Sequence, residues 1–100
     1  MHTLKFQESA EREWRRLDKG IRDRFLKVLE RRLGQPRILS AELSGDLEGL
    51  YRIKLRKSGY RLVYEVDDDV LIVLVIAVGK RDKHDVYRAA GERLGPRTNP

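Results

Sequence analysis

The chain has 100 residues, with 22 Lys+Arg against 16 Asp+Glu, a net charge of +6 and no cysteine. That length is one domain's worth, with a modest but sufficient core. The missing cysteine excludes disulfides, thiol catalysis and cysteine-ligated metal sites. The basic balance favours an anionic partner: nucleic acid, an anionic membrane surface or an acidic protein.

The first residues, Met1-His2-Thr3-Leu4-Lys5, hold no apolar signal-peptide core. The longest apolar run, Val70 to Val78, is short of the roughly 20 residues a membrane helix needs. A cytoplasmic protein without a membrane segment is expected. Leu4-Lys5-Phe6 alternates and predicts a short first strand. Ser9 is the expected N-cap of a helix over about 10 to 18, in which Ala10, Trp14 and Leu17 form the apolar stripe. On that stripe Trp14 reads as core, not as a platform for a base. Asp18 is expected to cap a second helix over about 19 to 33, with Ile21, Phe25, Val28, Leu29 and Leu33 inside. Its charges, including Arg22, Lys27 and Arg31, read as a solvated face. Gly34 and Pro36 stop it. Residues 35 to 50 form a connector that packs through Leu39, Leu43, Leu47 and Leu50, with turns at Gly45 and Gly49.

The densest signal is YRIKLRKSGYRLVYEV, residues 51 to 66. Arg52, Lys54 and Arg56 alternate with Ile53 and Leu55, which predicts a half-buried strand with a cationic outer face. Lys57-Ser58-Gly59 is a turn signal. If Leu62, Tyr64 and Val66 share the core with Ile53 and Leu55, then Arg61 falls on the face of Arg52, Lys54 and Arg56. Like charges on adjacent strands repel, and a bound polyanion would offset that cost.

Asp67-Asp68-Asp69 reads as the next reversal and not as a metal site, because acids favour turns and no second ligand group has an evident way to join them. Val70 to Val78 is apolar throughout, which implies a central strand buried on both faces, with helices covering one side. Gly79 ends it and Lys80-Arg81 mark its exit. Asp82 is expected to cap a last helix over about 83 to 94, carrying Val86, Tyr87, Ala90 and Leu94, and Gly95-Pro96 terminates that helix. The predicted order is β-α-α-β-β-β-α. This is an α+β fold: a small, mostly antiparallel sheet with two N-terminal helices packed on it and a short C-terminal helix. One domain over 1–95 and a frayed tail over 96–100 are expected.

These residues resemble the RelE family, toxins of type II toxin–antitoxin pairs within the RelE/ParE superfamily. The resemblance runs through the hairpin KLRKSGYR, the strand and exit LIVLVIAVGKRDKHDVY, Trp14-Arg15-Arg16-Leu17 and Leu43-Ser44-Gly45. It covers nearly the whole chain. It implies a metal-independent endoribonuclease without a cofactor, an mRNA interferase that cuts messenger in the ribosomal A site. The RNA's own 2′-hydroxyl attacks the adjacent phosphate, leaving a 2′,3′-cyclic phosphate and a 5′-hydroxyl. Lys54, Arg61, Arg81 and Tyr87 match the family's functional positions. Arg52 stands where relatives carry Lys, which keeps the charge but exchanges a compact ammonium for a planar fork. The implied partners are a RelB-like antitoxin that covers the basic face and displaces the last helix, and the ribosome with its 16S rRNA and mRNA. DNA is reached only through the antitoxin complex.

Such a cleavage needs a proton taken from the 2′-hydroxyl, charge stabilised on the phosphate, and a proton given to the 5′-oxygen. Neither His2, at an end expected to fray, nor His84, at a helix start, is expected to serve. Lys54 is the expected general base. Free lysine has a pKa of about 10.4; Arg52, Arg56 and Arg61 disfavour its charged form, while bound phosphate opposes them. Arg61 and Arg52 would stabilise charge on the phosphate, Arg81 would serve the leaving oxygen, and Tyr87 would stack on a base or orient the 2′-hydroxyl. Arg56, Lys57, Lys80 and Lys83 are expected to hold phosphate or ribosomal RNA without cutting. Two other readings stay open: a ParE-like poison of DNA gyrase on the same fold, and a non-catalytic RNA- or ribosome-binding module.

Overall fold

The computed structural model describes residues 1–80 and 85–94. Strand β1 (Thr3–Phe6) leads into α1 (Glu8–Arg15) and α2 (Lys19–Gly34). After two short 3₁₀ turns, Leu39–Ala41 and Gly45–Leu47, come β2 (Leu50–Leu55), β3 (Tyr60–Asp67), β4 (Ile72–Lys80) and α3 (Asp85–Leu94). The sheet order is β1-β4-β3-β2. β1 runs parallel to β4, and the β4–β3 and β3–β2 pairs are antiparallel. The expected element order and α+β class hold.

Helix α1 starts earlier than expected. The chain leaves β1 at Gln7, whose N–H donates to the Val75 carbonyl at 2.9 Å. Gln7 is extended, and its side-chain oxygen accepts the Ala10 N–H at 3.0 Å. An amide thus does the capping expected of Ser9, which lies inside the helix. The helix ends at Arg15, where the Arg16 and Leu17 N–H groups donate to the Glu13 and Trp14 carbonyls in a tight turn. Asp18 is the N-cap residue of α2, but its side chain makes no capping bond.

Both helices cover one face of the sheet. Ala10, Leu17, Phe25 and Leu29 pack there on Ile53, Leu62, Tyr64, Val73 and Val75. Trp14 is core, as its stripe predicts: its ring lies 5.1 Å from that of Phe6 and 6.1 Å from that of Phe25. Helix α3 covers the other face, setting Val86 and Ala90 on Leu50, Val63, Ile76 and Ala77. Helices therefore flank both sides of β4, and the expectation of cover on one side is corrected. Two-sided burial is what the unbroken apolar run demands of a central strand.

The run also starts later than its hydropathy suggests. Val70 and Leu71 are exposed in the β3–β4 turn, and Leu71 has φ 55°. The Asp67 carboxylate accepts the Asp69 N–H at 3.0 Å, so the acidic triplet is a turn, as read. In the connector Leu43 and Leu47 pack toward α3, whereas Leu39 is 84% exposed. Its 3₁₀ turn points Ala41 inward instead. His2 is not frayed. Its backbone N–H donates to Leu33 at 2.9 Å, and its ring lies 3.0 Å from Asp68. The expected Asp82 cap, the Gly95-Pro96 stop and the frayed tail lie outside the described residues.

Candidate active site

The hairpin builds the site by register. Lys54 is the cross-strand partner of Arg61, and Arg52 is the partner of Val63. Side chains alternate, so Leu50, Arg52 and Lys54 share the face of Val63 and Arg61. That face is apolar at one end, where Leu50 and Val63 sit beneath α3, and cationic at the other. Gly59, at φ +76°, closes the turn in a conformation a side chain would strain.

Arg61 is the buried charged residue of the described fold, 9% exposed. Its neighbour on β4 is Gly79, which brings no side chain against it. The same glycine lets α3 approach, since a Cβ there would lie 3.1 Å from Val86 Cγ2. With Val86 turned onto the sheet, the next residue, Tyr87, faces the gap between α3 and the hairpin. The result is a cleft of about 500 Å³ lined by Leu43, Ser44, Leu47, Arg52, Lys54, Arg61 and Tyr87. Three cations and no carboxylate line it among the described residues. A partly desolvated cluster of one sign is unfavourable alone and attracts a polyanion strongly.

The structure thus brings together Arg52, Lys54, Arg61 and Tyr87. Arg81, Lys83 and His84 lie outside the described residues. Arg56 falls past the last ladder pair, Leu55–Tyr60, and sits with Lys57 in the exposed turn. Lys80 lies on the opposite face of the sheet, with Nζ 5.7 Å from the Tyr60 ring centre. Tyr87 both packs on the α3-side cluster and lines the cleft.

Several contributors escaped the sequence reading. Leu43, Ser44 and Leu47 form a wall of the cleft, where the spacing of the connector leucines predicts only packing on the domain. Arg32 supports the hairpin from α2: its guanidinium donates to the Tyr64 hydroxyl at 2.8 Å and to the Arg52 carbonyl at 3.4 Å. The Tyr64 hydroxyl in turn donates to the Pro36 carbonyl at 2.6 Å. Burial raises the Tyr64 pKa, and the Arg32 contact offsets only part of that.

A family model described as the ParE toxin of a type II toxin–antitoxin system, parDE, matches residues 4–84. A putative RelE-like toxin protein of Escherichia coli is 50% identical over 93 residues, covering 93% of this chain and 97% of that protein. The chain belongs to the RelE family of toxins. The mRNA interferase toxin RelE of E. coli strain K12 is 46% identical over 91 residues, covering 91% of this chain and 95% of that one. The crystal structure of isolated E. coli RelE matches with a TM-score of 0.78 at 44% identity, over 94% of this chain and 99% of that chain. RelE within the intact E. coli RelBE toxin–antitoxin complex matches equally well, with a TM-score of 0.78 over 83% of this chain and 100% of that one. As a RelE-family chain, it carries its cationic cleft on the face that α3 covers.

Proposed function

We propose that this chain is the toxin of a type II toxin–antitoxin pair and an mRNA interferase that cuts messenger in the ribosomal A site. The observation that carries this reading is the pairing of Lys54 with Arg61 across the hairpin, with Arg52 and Tyr87 on the same cleft. The names of its relatives, an mRNA interferase toxin among them, support it.

In this reading the cleft holds one ribose-phosphate link. Lys54 takes the proton of the 2′-hydroxyl, which attacks the adjacent phosphorus, and the bond to the 5′-oxygen breaks. Arg61, largely buried, and Arg52 stabilise the charge that develops on the phosphate. Preorganised donors of this kind are worth about 3–4 kcal/mol each. By resemblance alone, Arg81 stabilises the departing 5′-oxygen or passes it the proton with which it leaves as the 5′-hydroxyl. Tyr87 orients the ribose or stacks on its base. Arg56, Lys57 and Lys83 hold RNA phosphates or ribosomal RNA without cutting, and Lys80, on the face away from the cleft, is left to ribosomal RNA. None of these steps uses a metal or a cofactor.

The cleft is open and shallow, so the ribosome supplies the bent, in-line geometry that a domain this small does not impose. The antitoxin is a RelB-like chain that competes for the basic face and removes α3, as befits a family known in complex with RelB. The site of action is the cytoplasm, and DNA is met only through the antitoxin complex. Among the described residues no helix is long and apolar enough to cross a membrane.

Mapping messenger 5′ ends after induction tests the reading. Cuts at A-site codons that vanish in Arg61→Ala are expected. DNA damage without cuts would instead indicate a gyrase poison, and growth arrest with neither would indicate a binding module; either result overturns the proposal.

A further inference from the structure

Helix α3 carries Tyr87, which with Ala89 and Leu94 packs only partly buried against the sheet. Its buried residues are Val86 and Ala90. The next position on that stripe, at i+7 from Val86, is Arg93. An arginine on the inner stripe of a small helix needs a reason, and the edge of β4 supplies one.

β1 pairs with β4 only as far as Phe6–Val75. The β3–β4 register then shifts between Tyr64–Val75 and Val63–Ala77, so Ile76 is an extra, bulged residue. Past this point the described chain lays no strand against the β1 side of β4. Two side chains meet its backbone instead. The Val78 N–H donates to Glu13 Oε1 at 3.1 Å, and Arg93 Nη1 donates to the Ile76 carbonyl at 2.9 Å. The two side chains also bind each other as a fork, Nη1 to Oε1 and Nη2 to Oε2, both at 2.8 Å. Glu13 belongs to α1 on one face of the sheet and Arg93 to α3 on the other. Their pair therefore closes around the bulged edge of β4.

We propose that Glu13 and Arg93 form a latch, read against the bulged edge of β4, that positions α3 and with it Tyr87. This rests on the reading that Tyr87 works in the cleft. Contacts between small apolar groups tolerate slip along a helix axis. A two-point guanidinium–carboxylate fork, itself bound to a backbone carbonyl and a backbone N–H, tolerates little. Tyr87 lies six residues from Arg93, about 9 Å along the axis. On its own stripe, at i+4, is Gly91, where an added Cβ would lie 3.4 Å from Leu47 Cδ2, in the wall of the cleft. Rotation of α3 about its axis therefore moves Tyr87 relative to Lys54 and Arg61. Glu13 and Arg93 are positioning residues and do not touch the substrate. Any chain that takes the place of α3 must open this fork.

The polarity of the edge makes the latch testable. Val78 offers a donor and Ile76 an acceptor, so the carboxylate must come from position 13 and the guanidinium from position 93. An ordinary surface ion pair survives charge reversal; this one does not. The test compares wild type, Glu13→Gln, Arg93→Lys and the reversed double variant Glu13→Arg/Arg93→Glu in single-turnover cleavage on programmed ribosomes and in amide hydrogen exchange. Glu13→Gln and Arg93→Lys are expected to lower the cleavage rate about tenfold, with KM for the ribosome within about twofold and the cut position unchanged. The α3 amides are expected to exchange about tenfold faster while those of β3 keep their protection. The reversed variant is expected to be no better than either single change. An unchanged rate, full rescue by reversal, or equal loss of protection in β3 would overturn the latch. If wild type makes no A-site cut, the proposed activity falls. The latch is then judged on exchange alone: faster α3 exchange in Glu13→Gln upholds it, and unchanged exchange overturns it.

Discussion

Arg61 lies directly across from Lys54 on one ladder and directly across from Gly79 on the other. The first neighbour repels it and the second leaves it room. Like charges opposite one another on adjacent strands are destabilising by up to about 1 kcal/mol. Arg61→Leu removes the repulsion and keeps an apolar stem over the sheet. Its expected outcome is a melting temperature at or above that of wild type with cleavage down by about 10²–10³. Thermal melts and single-turnover assays on the same preparation check both halves. A fall in stability equal to the fall in activity would make Arg61 structural.

Gly79 is the seat of α3 as well as the gap beside Arg61. A methyl group at Gly79→Ala would stand 3.1 Å from Val86 Cγ2, so the helix must give by a few tenths of an ångström. The expected destabilisation is about 1–2 kcal/mol. Cleavage is expected to fall further than the stability loss explains, because Val86 carries Tyr87 with it. Val86→Ala in the Gly79→Ala background is expected to recover part of the rate, since it removes the clash. A double-mutant cycle measures that coupling.

Glu13 titrates in the acid range with a definite sign. Burial pushes its pKa up, but the Arg93 fork, the Val78 N–H and the nearby Arg16 more than offset that, and the net shift is below the ordinary value of 4.5. Arg93 is raised by the same bond. A carboxylate depressed on folding contributes stability that is complete above its unfolded value and is lost as pH falls through its folded value. Hydrogen bonds to charged groups contribute about 1.5–3 kcal/mol. Wild type is therefore expected to exceed Glu13→Gln by a constant margin from about pH 5 to 7, narrowing below about pH 4. Urea titrations across that range measure the margin. A margin that persists undiminished at pH 2 would contradict the assignment.

The cationic face was legible because period-2 alternation and a Gly-containing turn place Arg52, Lys54 and Arg61 without knowledge of anything else. The core helices were legible for the same kind of reason, through Trp14, Phe25 and Leu29 at helical spacing. What stayed hidden depends on contacts distant in sequence or on groups with no pattern. The cleft wall comes from Leu43 and Ser44, between the two 3₁₀ turns, and from Leu47 in the second. The cover on the second face rests on Val86 and Ala90, too small to announce a docking surface. Glu13 and Arg93 are 80 positions apart, and each looks like an ordinary helix-surface charge. Arg32 hides in a run of charged residues, and the Gln7 cap depends on the path by which the chain leaves β1.

In the proposed function the exposed turn residue Lys57 holds RNA without cutting it, and its substitution separates the two roles. Lys57 stands past the end of the ladder, exposed in the turn and outside the cleft lining. A phosphate contact of this kind contributes about 0.7–0.9 to the slope of log affinity against log salt. Lys57→Ala is expected to lower that slope by this amount and to raise KM several-fold at about 0.15 M salt, with the single-turnover rate at saturation unchanged. Arg52, inside the cleft, should behave oppositely. Arg52→Lys keeps a cation at the phosphate and is expected to hold the rate within about threefold, whereas Arg52→Ala lowers the rate about 10²-fold with a smaller effect on KM. Saturation curves for these variants at two salt concentrations decide the matter. A rate defect in Lys57→Ala, or a pure KM defect in Arg52→Ala, would interchange the roles and move the phosphate being cut toward the hairpin tip.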